Sequence, residues 1–255
     1  MTSRDVSPPG VVSVIPLEGL PELEESDDLA LLLHAVAERV GGLRDADVVV
    51  VAQKAVSKVE GRVVRLADVE PSARAIELAG PDGDPRHIEA ILRESIEVVR
   101  SRPPLVIAET RHGFVCASAG VDASNTPADD TVVLLPLDPD ASARRLRERL
   151  VDLSAADVGV VVSDSFGRAW RQGTTDVALG VAGIAPLLDL RGSRDARGRE
   201  LKTTQIAVAD EIAGAAELVL GKARGVPAAI VRGVDARGDG SAAQLVMPRE
   251  RDLFR

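Results

Sequence analysis

Two short runs of β-branched residues constrain the fold of this chain more than any other feature of its sequence. The first, Asp47–Ala52, reads DVVVVA, and the second, Asp157–Ser163, reads DVGVVVS. A strand with one solvated face alternates apolar and polar residues, whereas an unbroken apolar run is typical of a strand that is buried on both faces. The two runs therefore predict strands in the interior of a layered α/β fold.

Aromatic residues contribute almost nothing to the predicted core. They make up 2% of the 255 residues, with one Trp and no Tyr, although 45% of the chain is hydrophobic. Alanine, valine and leucine must therefore fill the interior, which suits helices packed on valine-rich sheets. This length and hydrophobic content are sufficient for one large domain or two small ones.

Charge and cysteine content exclude several classes of protein. The formal net charge of -9, with no long basic run, disfavours nucleic-acid binding because phosphates repel an acidic surface. The lone Cys116 excludes an intrachain disulfide and a thiolate metal cluster. No apolar run reaches the roughly 18 residues that cross a membrane, and the polar segment 1–10 does not resemble a signal peptide. We therefore expect a cytoplasmic protein with no membrane partner.

The spacing of apolar residues predicts the remaining elements. Helices are expected from Asp28 to Val40, over 71–80 and 86–101, from Asp138 to Leu153, and from Ala209 to Leu220. Strands are expected at Val11–Leu17, Leu105–Glu109, Phe114–Ala117, Thr131–Leu135 and Pro227–Val231. The segment 173–190 is small and apolar, which predicts a surface buried against a second copy of the chain.

The common nucleotide-binding turns are absent from the sequence. It contains neither the G-x-x-x-x-G-K-[ST] pattern of a P-loop nor the G-x-G-x-x-G pattern of a Rossmann turn. Asp164–Gly167 fits D-x-x-G, but four-residue patterns are common by chance and no N-K-x-D accompanies this one. Any bound nucleotide must therefore be held in another way.

Two short polar loops contain the residue types that hold a divalent metal. Asp122-Ala123-Ser124-Asn125 lies between two predicted strands, and Asp164-Ser165 ends the second valine run. Carboxylate, hydroxyl and amide oxygens are hard ligands that suit Mg²⁺ or Mn²⁺, and such ions commonly bridge phosphate oxygens. The same residue types also cap helices and form turns, so the pattern alone leaves both interpretations open.

Basic side chains follow the two valine runs. Lys54 and Lys58 lie just past the first, where an ammonium group could reach a phosphate. Arg168 and Arg171 flank Trp170 just past the second, where a guanidinium group would suit a phosphate or a carboxylate. Solvated lysines and ordinary surface arginines would give the same pattern, so these residues alone do not assign a function.

Seven stretches of the chain, in order, resemble the coenzyme F420-0:L-glutamate ligase family. They are Pro16–Pro21 (PLEGLP), Asp47–Gly61 (DVVVVAQKAVSKVEG), Ala119–Asn125 (AGVDASN), Leu134–Ser142 (LLPLDPDAS), Val161–Arg171 (VVSDSFGRAWR), Ala207–Ala213 (AVADEIA) and Pro227–Gly233 (PAAIVRG). No single stretch is very specific, but the seven keep the order of the family and extend over 11–235. The chain resembles the free-standing form of the family, without the C-terminal flavin-binding domain of some relatives.

This resemblance implies a mixed α/β fold of two intertwined subdomains in a homodimer. The catalytic unit is expected over 11–235, with peripheral tails at 1–10 and 236–255. The implied reaction is the GTP-dependent formation of an amide bond. GTP would phosphorylate the carboxylate on the phospholactyl arm of the deazaflavin F420-0, and the amine of L-glutamate would displace phosphate from the acyl phosphate. Further γ-linked glutamates would be added in the same way.

The resemblance also implies roles for individual positions. Asp122 and Asp164 match ligands of a divalent metal, and Ser165 stands where relatives have a Thr ligand of a second metal. Asn125 and Lys58 match contacts to GTP, and Lys58 joins the two aspartates in the expected catalytic set. The other expected GTP contacts are Leu20, Pro21, Glu22, Leu23, Gln53, Leu220, Gly221, Lys222, Ala223, Arg224 and Gly225.

Several positions depart from the family pattern or have a less defined role. Gln53 falls where relatives often have Ser. Lys222 replaces an acidic or amide metal ligand of some relatives, and Gln205 stands where relatives often have Glu. Arg168 and Arg171 are the candidates for contacts to the acceptor substrate.

The expected partners are GTP, L-glutamate, F420-0 and a second copy of the chain, with no nucleic acid. The ions that the resemblance implies are Mn²⁺ or Mg²⁺ at two sites, with K⁺ as a further candidate. Two alternatives stay open. One is a non-catalytic dimeric protein that binds a deazaflavin or a nucleotide. The other is a related amide ligase that uses the same site on another acceptor or with another amino acid.

Overall fold

A computed structural model gives the structure of residues 10–124, 126, 128–222 and 224–254. Its strands are β1 (Ser13–Pro16), β2 (Val48–Ala52), β3 (Val63–Arg65), β4 (Ser95–Arg102), β5 (Leu105–Thr110), β6 (Val115–Ala117), β7 (Thr131–Val133), β8 (Gly159–Arg168), β9 (Arg171–Ala182), β10 (Leu188–Asp189), β11 (Gln205–Ile206) and β12 (Ala228–Arg232). Its α-helices are α1 (Leu29–Arg39), α2 (Gln53–Val59), α3 (Ala73–Ala79), α4 (Pro85–Glu94), α5 (Pro139–Ser154) and α6 (Val208–Leu220). Short 3-10 helices lie at Leu66–Asp68, Ser118–Gly120, Ala242–Leu245 and Arg249–Arg251.

The two valine runs form the centre of a five-stranded sheet with the order β1-β12-β2-β8-β9. β2 and β8 pair in parallel, in a register that runs from Val48 opposite Gly159 to Ala52 opposite Ser163. Successive side chains of a strand point to opposite faces, and both faces of β2 are buried. The prediction of two interior strands is therefore confirmed.

Helices cover both faces of this sheet. Val49 and Val51 pack with α1, α2 and α5, whereas Val48 and Val50 pack with α6. Aspartate side chains cap the first turns of two of these helices. The side chain of Asp28 accepts the N–H of Leu31 at the start of α1, and Asp138 caps α5 in the same way. The two apolar cores follow directly from the unbroken valine runs, since each strand offers an apolar surface to both sides.

A smaller α+β unit, which we call the small subdomain, lies between β2 and β8 in the sequence. Its β4-β5-β6 sheet packs on α3 and α4 around a core of its own, and β3 pairs with β7 where the chain enters and leaves it. The predicted mixed α/β architecture is confirmed. No helix in the described part of the chain is both long and apolar enough to cross a lipid bilayer.

The predicted helix over 86–101 is wrong in its second half. The helix α4 ends at Glu94, and Ser95–Arg102 continues as strand β4, paired with β5. Ile96, Val98 and Val99 are β-branched, and such side chains fit a pleated strand better than a helix. Pairing with β5 outweighs the helical spacing of the apolar residues upstream.

The segments predicted as a dimer surface and as a C-terminal tail contribute to the interior of the chain itself. Within 173–190, Ala178, Val181 and Ile184 are buried in the core beneath α6. Within 236–255, Ala236 and Ala242 belong to the same core. Small apolar residues therefore serve intrachain packing here, and they carry no argument for a second subunit.

The close approach of β9 to α5 generates a stability prediction. A Cβ atom at Gly180 would overlap the backbone of Pro139, which cannot move aside without shifting the start of α5. We expect Gly180→Ala to lower the free energy of unfolding by about 2 kcal/mol or more, as overpacking against a rigid neighbour does. Urea denaturation of the parent and the variant measures this difference.

Gly167→Ala is the matched control in the same sheet. Gly167 lies in β8, and an added Cβ atom there would meet no atom within 4 Å. We expect its free energy of unfolding to stay within about 0.5 kcal/mol of the parent. Equal losses for the two variants would show that the contact between β9 and α5 does not limit the packing.

Candidate active site

Four segments of the chain meet at one edge of the five-stranded sheet because of the strand directions. β2 and β8 are parallel, and their pairing ends at this edge with Ala52 opposite Ser163. β12 runs antiparallel to β2 and starts here, and β1 runs antiparallel to β12 and ends here. Backbone hydrogen bonds tie the edge together, since Ala52 donates to Pro227 at 2.8 Å and Leu17 donates to Ala228 at 2.9 Å. The edge brings together segments that are far apart in the sequence.

A cavity of about 720 Å³ opens at this edge. The predicted site residues that line it are Leu20, Pro21, Glu22, Leu23, Gln53, Lys58, Asp122, Asp164, Ser165, Leu220, Gly221, Lys222 and Gly225. Asp122 comes from the small subdomain and Asp164 from the large sheet. The structure therefore places in one cavity two carboxylates that come from different subdomains.

Other predicted residues lie outside the lining of this cavity. Arg224 is exposed and pairs with Glu18 at 3.4 Å. Arg168 and Arg171 face each other in the last pair of the β8–β9 hairpin, beyond the cavity. Gln205 lies in the small sheet of β10 and β11. The remaining two predicted contacts, Asn125 and Ala223, lie outside the described residues.

Lys54 neutralises the first carboxylate of the cavity. Its ammonium group lies 2.7 Å from the Asp122 carboxylate and donates to the Ser124 hydroxyl at 2.7 Å. Burial alone would raise the pKa of Asp122, but hydrogen bonds from Lys54 and Ser124 outweigh it and hold the pKa below its ordinary value. Asp122 is therefore ionised at neutral pH, and Lys54, which the sequence analysis considered as a phosphate contact, lines the cavity as the partner of Asp122.

Asp164 lies in an unfavourable environment for a negative charge. Burial, followed by the charges of Asp122 and Asp176, raises its pKa to about 7, although the N–H of Ser165 stabilises the carboxylate. Burial and the charge of Asp164 likewise raise the pKa of Cys116 to about 12, so this thiol stays protonated. The site contains more negative charge than its own cations offset.

Asp176 and Glu217 are cavity residues that the sequence analysis missed. The buried carboxylate of Asp176 accepts the hydroxyls of Ser165 at 2.7 Å and Ser163 at 2.9 Å. Glu217 on α6 accepts the N–H of Asp176 at 2.9 Å. One signal was available, since Asp176 is an acidic residue inside an otherwise small and apolar segment. Ser165 is thus held by a neighbouring strand, and its hydroxyl proton is directed to Asp176.

Two further polar groups of α2 line the cavity. Lys58 pairs with Glu22 at 2.5 Å, so an acid from the loop after β1 already holds this cation. Gln53 is 1% exposed, and its amide oxygen accepts the Ser57 hydroxyl at 2.9 Å. The amide nitrogen of Gln53 has no hydrogen-bond partner among the described residues. A buried donor without a partner is costly, so Gln53 provides a place for an acceptor atom of a ligand.

The donor set fits a divalent metal that shares its coordination with a ligand. Asp122, Asp164 and Ser165 offer hard oxygen atoms, which suit Mg²⁺ or Mn²⁺. Within the described residues, no group of three or more Asp, Glu, His or Cys side chains is arranged to hold a metal by itself. Mg²⁺ commonly binds through one or two carboxylates together with substrate phosphates, and this pattern fits the cavity.

The chain matches one protein family, and proteins named for the same activity, along nearly its whole length. Residues 19–233 match the sequence family described as F420-0:Gamma-glutamyl ligase. The chain is 45% identical to a protein of Methanothermobacter thermautotrophicus over 250 residues, covering 96% of this chain and 99% of that protein. It is 45% identical to one of Methanopyrus kandleri over 251 residues, covering 96% and 97%. It is 42% identical to one of Archaeoglobus fulgidus, covering 96% of each chain. All three carry the name coenzyme F420:L-glutamate ligase.

The raised pKa of Asp164 predicts a stability that depends on pH. Its folded-state value of about 7 lies above the ordinary 3.8, so between these values the folded chain binds the proton more tightly. The free energy of unfolding therefore falls as pH rises through this window. Asp164→Asn removes the penalty, and we expect this variant to be more stable than the parent at pH 8 by on the order of 2–4 kcal/mol. The gain should shrink as pH falls towards 4.

Urea denaturation in the presence of a metal chelator checks this expectation across the pH range. Asp189→Asn is the control, because Asp189 is an exposed carboxylate outside the cavity. It should show no gain at pH 8. A loss of stability in Asp164→Asn that is equal at all pH values would contradict the assigned electrostatic penalty.

Proposed function

Since the chain belongs to the F420-0:gamma-glutamyl ligase family, we propose that it joins L-glutamate to the carboxylate of coenzyme F420-0. Family membership supports the coarser statement, that the chain is a glutamate ligase of coenzyme F420 biosynthesis. The observation that carries the finer proposal is the convergence of Asp122 and Asp164 on one cavity. Binding alone rarely requires two metal carboxylates, so this pair favours an enzyme over a non-catalytic binding protein.

We propose GTP as the co-substrate in this cavity. Its volume of about 720 Å³ lies within the range of small-molecule sites. Lys54 and Lys58 bring positive charge to it from successive turns of α2, and the amide nitrogen of Gln53 offers a donor without a protein partner. These groups take the part that a glycine-rich phosphate loop has in other nucleotide-binding proteins.

We propose that Asp122, Asp164 and Ser165 hold divalent metal together with phosphate oxygens. When bound, the ion would supply positive charge that offsets the charge of the transferring phosphoryl group. Asp164 must lose its proton to act as a ligand, and its pKa of about 7 allows this near neutral pH. Asp176 accepts the Ser165 hydroxyl proton, so the lone pairs of that oxygen stay available for a cation.

The proposed reaction proceeds in two steps. The carboxylate of F420-0 attacks the γ-phosphorus of GTP, and GDP leaves as an acyl phosphate forms. The amine of L-glutamate then attacks the acyl carbon, phosphate departs with the bonding electrons, and the amine loses a proton. Phosphorylation is needed because a free carboxylate is a poor electrophile. In the first step, the residues of the cavity orient the triphosphate of GTP and the carboxylate of F420-0 and reduce the repulsion between them.

We propose a homodimer as the assembly, together with the same ions that the family resemblance implies. The family resemblance alone supports this proposal, because the small apolar residues along β9 are buried within the chain and do not form a free surface. An isologous interface is the expected form. Light scattering at micromolar concentration should give twice the chain mass, and a monomer would contradict this proposal.

The central prediction concerns Asp164. Asp164→Asn removes a full negative charge from the proposed metal site while keeping the shape of the side chain. We expect glutamate-dependent release of phosphate from GTP, measured with F420-0 and Mn²⁺, to fall by at least about 100-fold. Asp189→Asn, an exposed site outside the cavity, should keep the parent rate. Near-parent turnover of Asp164→Asn would mean that the metal site is elsewhere or that the chain only binds.

A second prediction separates phosphate contacts from metal ligands. Lys58→Ala removes a cation but no metal ligand, so GTP affinity should fall about tenfold while Mn²⁺ affinity changes little. Lys202→Ala is the matched control, because it removes an exposed lysine outside the cavity and should leave GTP affinity unchanged. Calorimetric titration of the parent and both variants measures these affinities. Equal losses in Lys58→Ala and Lys202→Ala would mean that the loss reflects the total charge of the chain and not a contact of Lys58.

A further inference from the structure

Aromatic side chains are rare in this chain, and none of them is fully buried. The chain has three Phe, one Trp and no Tyr. Phe114 and Phe166 are half-buried, whereas Trp170 and Phe254 are exposed. Two of these four rings, Phe166 and Trp170, follow Asp164 and Ser165 directly along the β8–β9 hairpin. The core does not need the rings, so their concentration beside the catalytic strand needs another explanation.

Trp170 is held in an unfavourable position at the tip of this hairpin. Arg168 pairs with Arg171, so Ala169 and Trp170 form the turn. Trp170 has φ +56°, a left-handed backbone conformation that turns usually assign to Gly or Asn. Its side chain is 83% exposed, and its ring centroid lies 4.6 Å from that of Phe254. A large apolar ring is thus presented to solvent on a strained turn, beside a second ring.

The strand that leads to this tip carries a graded series of chemical groups. Asp164 and Phe166 are two residues apart in β8, so they lie on one face of the strand. Arg168 follows an irregularity in the pairing with β9 between Gly167 and Arg168. Phe166 contacts Phe114 edge to face, with ring centroids 6.1 Å apart. At about 3.3 Å per residue, the backbone distance from Asp164 to Arg168 is roughly 13 Å. The order along the strand is carboxylate, aromatic ring, guanidinium, and then the exposed rings of the tip.

We propose that the β8–β9 hairpin binds the acceptor substrate lengthwise, with its planar ring stacked on Trp170. This inference rests on the proposed function, because it takes F420-0 as the acceptor. That molecule carries its reacting carboxylate and its deazaflavin ring at opposite ends of an arm that contains a phosphodiester. With the carboxylate at Asp164 and Ser165, the arm passes Arg168, whose guanidinium suits a phosphodiester anion, and the ring reaches the tip.

A ligand ring stacked on Trp170 accounts for the strained backbone and the exposed side chain of this residue. A planar ring can stack on Trp whatever its hydrogen-bonding groups are. Such stacking contributes to the binding free energy because the two facing ring surfaces are removed from water. A strained turn persists where a function or the surrounding structure requires it, and the ring contact of Trp170 is with another exposed ring, that of Phe254. Arg168 and Arg171, which lie outside the cavity, then flank the path of the acceptor rather than the nucleotide.

The test compares Trp170→Leu with Trp170→Phe in the full chain. Leu keeps an apolar side chain but removes the ring, whereas Phe keeps a ring. We expect the Kd for F420-0, measured from the fluorescence anisotropy of the deazaflavin, to rise about tenfold in Trp170→Leu and less than threefold in Trp170→Phe. The KM for F420-0 should follow, with kcat and the KM for GTP unchanged. Ile96→Ala, which removes an exposed apolar side chain from β4, is the control and should match the parent.

A ring-less acceptor that keeps the phospholactyl arm distinguishes ring stacking from other roles of the tip. Trp170→Leu and the parent should convert this analogue at equal rates. An equal loss on both acceptors would overturn the proposal and would indicate that the tip acts through folding or through a second copy of the chain. An unchanged Kd for F420-0 in Trp170→Leu, while the parent converts F420-0, would overturn it but leave the proposed function intact. A parent that neither binds nor converts F420-0 would overturn both.

Discussion

The parallel pairing of β2 with β8 determines where chemistry can take place in this chain. Because the two strands run in the same direction, the end of β2 and the part of β8 just past its last pair with β2 lie at the same edge of the sheet. Gln53, Lys54 and Lys58 lie in α2, which follows β2, and Asp164 and Ser165 follow Ser163, the last residue of β8 that pairs with β2. The unbroken valine runs make this pairing possible, since each strand must satisfy an apolar layer on both faces. A slip of one residue in the register would turn the polar residues at the edge towards the helices.

The second organising constraint is electrostatic. Among the described residues, five carboxylates line one cavity, those of Glu22, Asp122, Asp164, Asp176 and Glu217. Lys54 forms an ion pair with Asp122, and Lys58 forms one with Glu22. The raised pKa of Asp164 shows that its ionised form destabilises the folded state, and the proposed divalent cation would offset that cost. Such a trade between stability and function is common where an active site is prepared for a charged ligand.

The sequence predicted those parts of the fold and site that depend on local patterns. The valine strands, the capped start of α5 and the loop with Asp122 could be recognised because each depends on consecutive residues. The predicted loop at Asp164 and Ser165 is wrong, because both residues lie within β8, which continues to Arg168 through its pairing with β9. Asp176 and Glu217 could not be assigned, because their contacts depend on the tertiary structure. Asp176 meets Ser165 through the pairing of β8 with β9, and Glu217 meets Asp176 through the packing of α6. The helix predicted over 86–101 failed for the same reason, since pairing with β5 is a tertiary contact. The roles of individual side chains remain predictions.

The short pairing of β3 with β7 makes the small subdomain an insertion into a continuous sheet. Arg62 and Leu134 meet at its base, where the Leu134 N–H donates to the Arg62 carbonyl at 2.9 Å, so the chain leaves and re-enters the large unit at almost the same point. An excursion whose ends are closed in this way adds little entropic cost to assembly of the sheet, because closure entropy grows only slowly with length. The excursion also has its own apolar core. Evolution can therefore lengthen, shorten or reshape the outer part of this excursion, and with it the side of the cavity that carries Asp122, without changing the order of strands in the sheet.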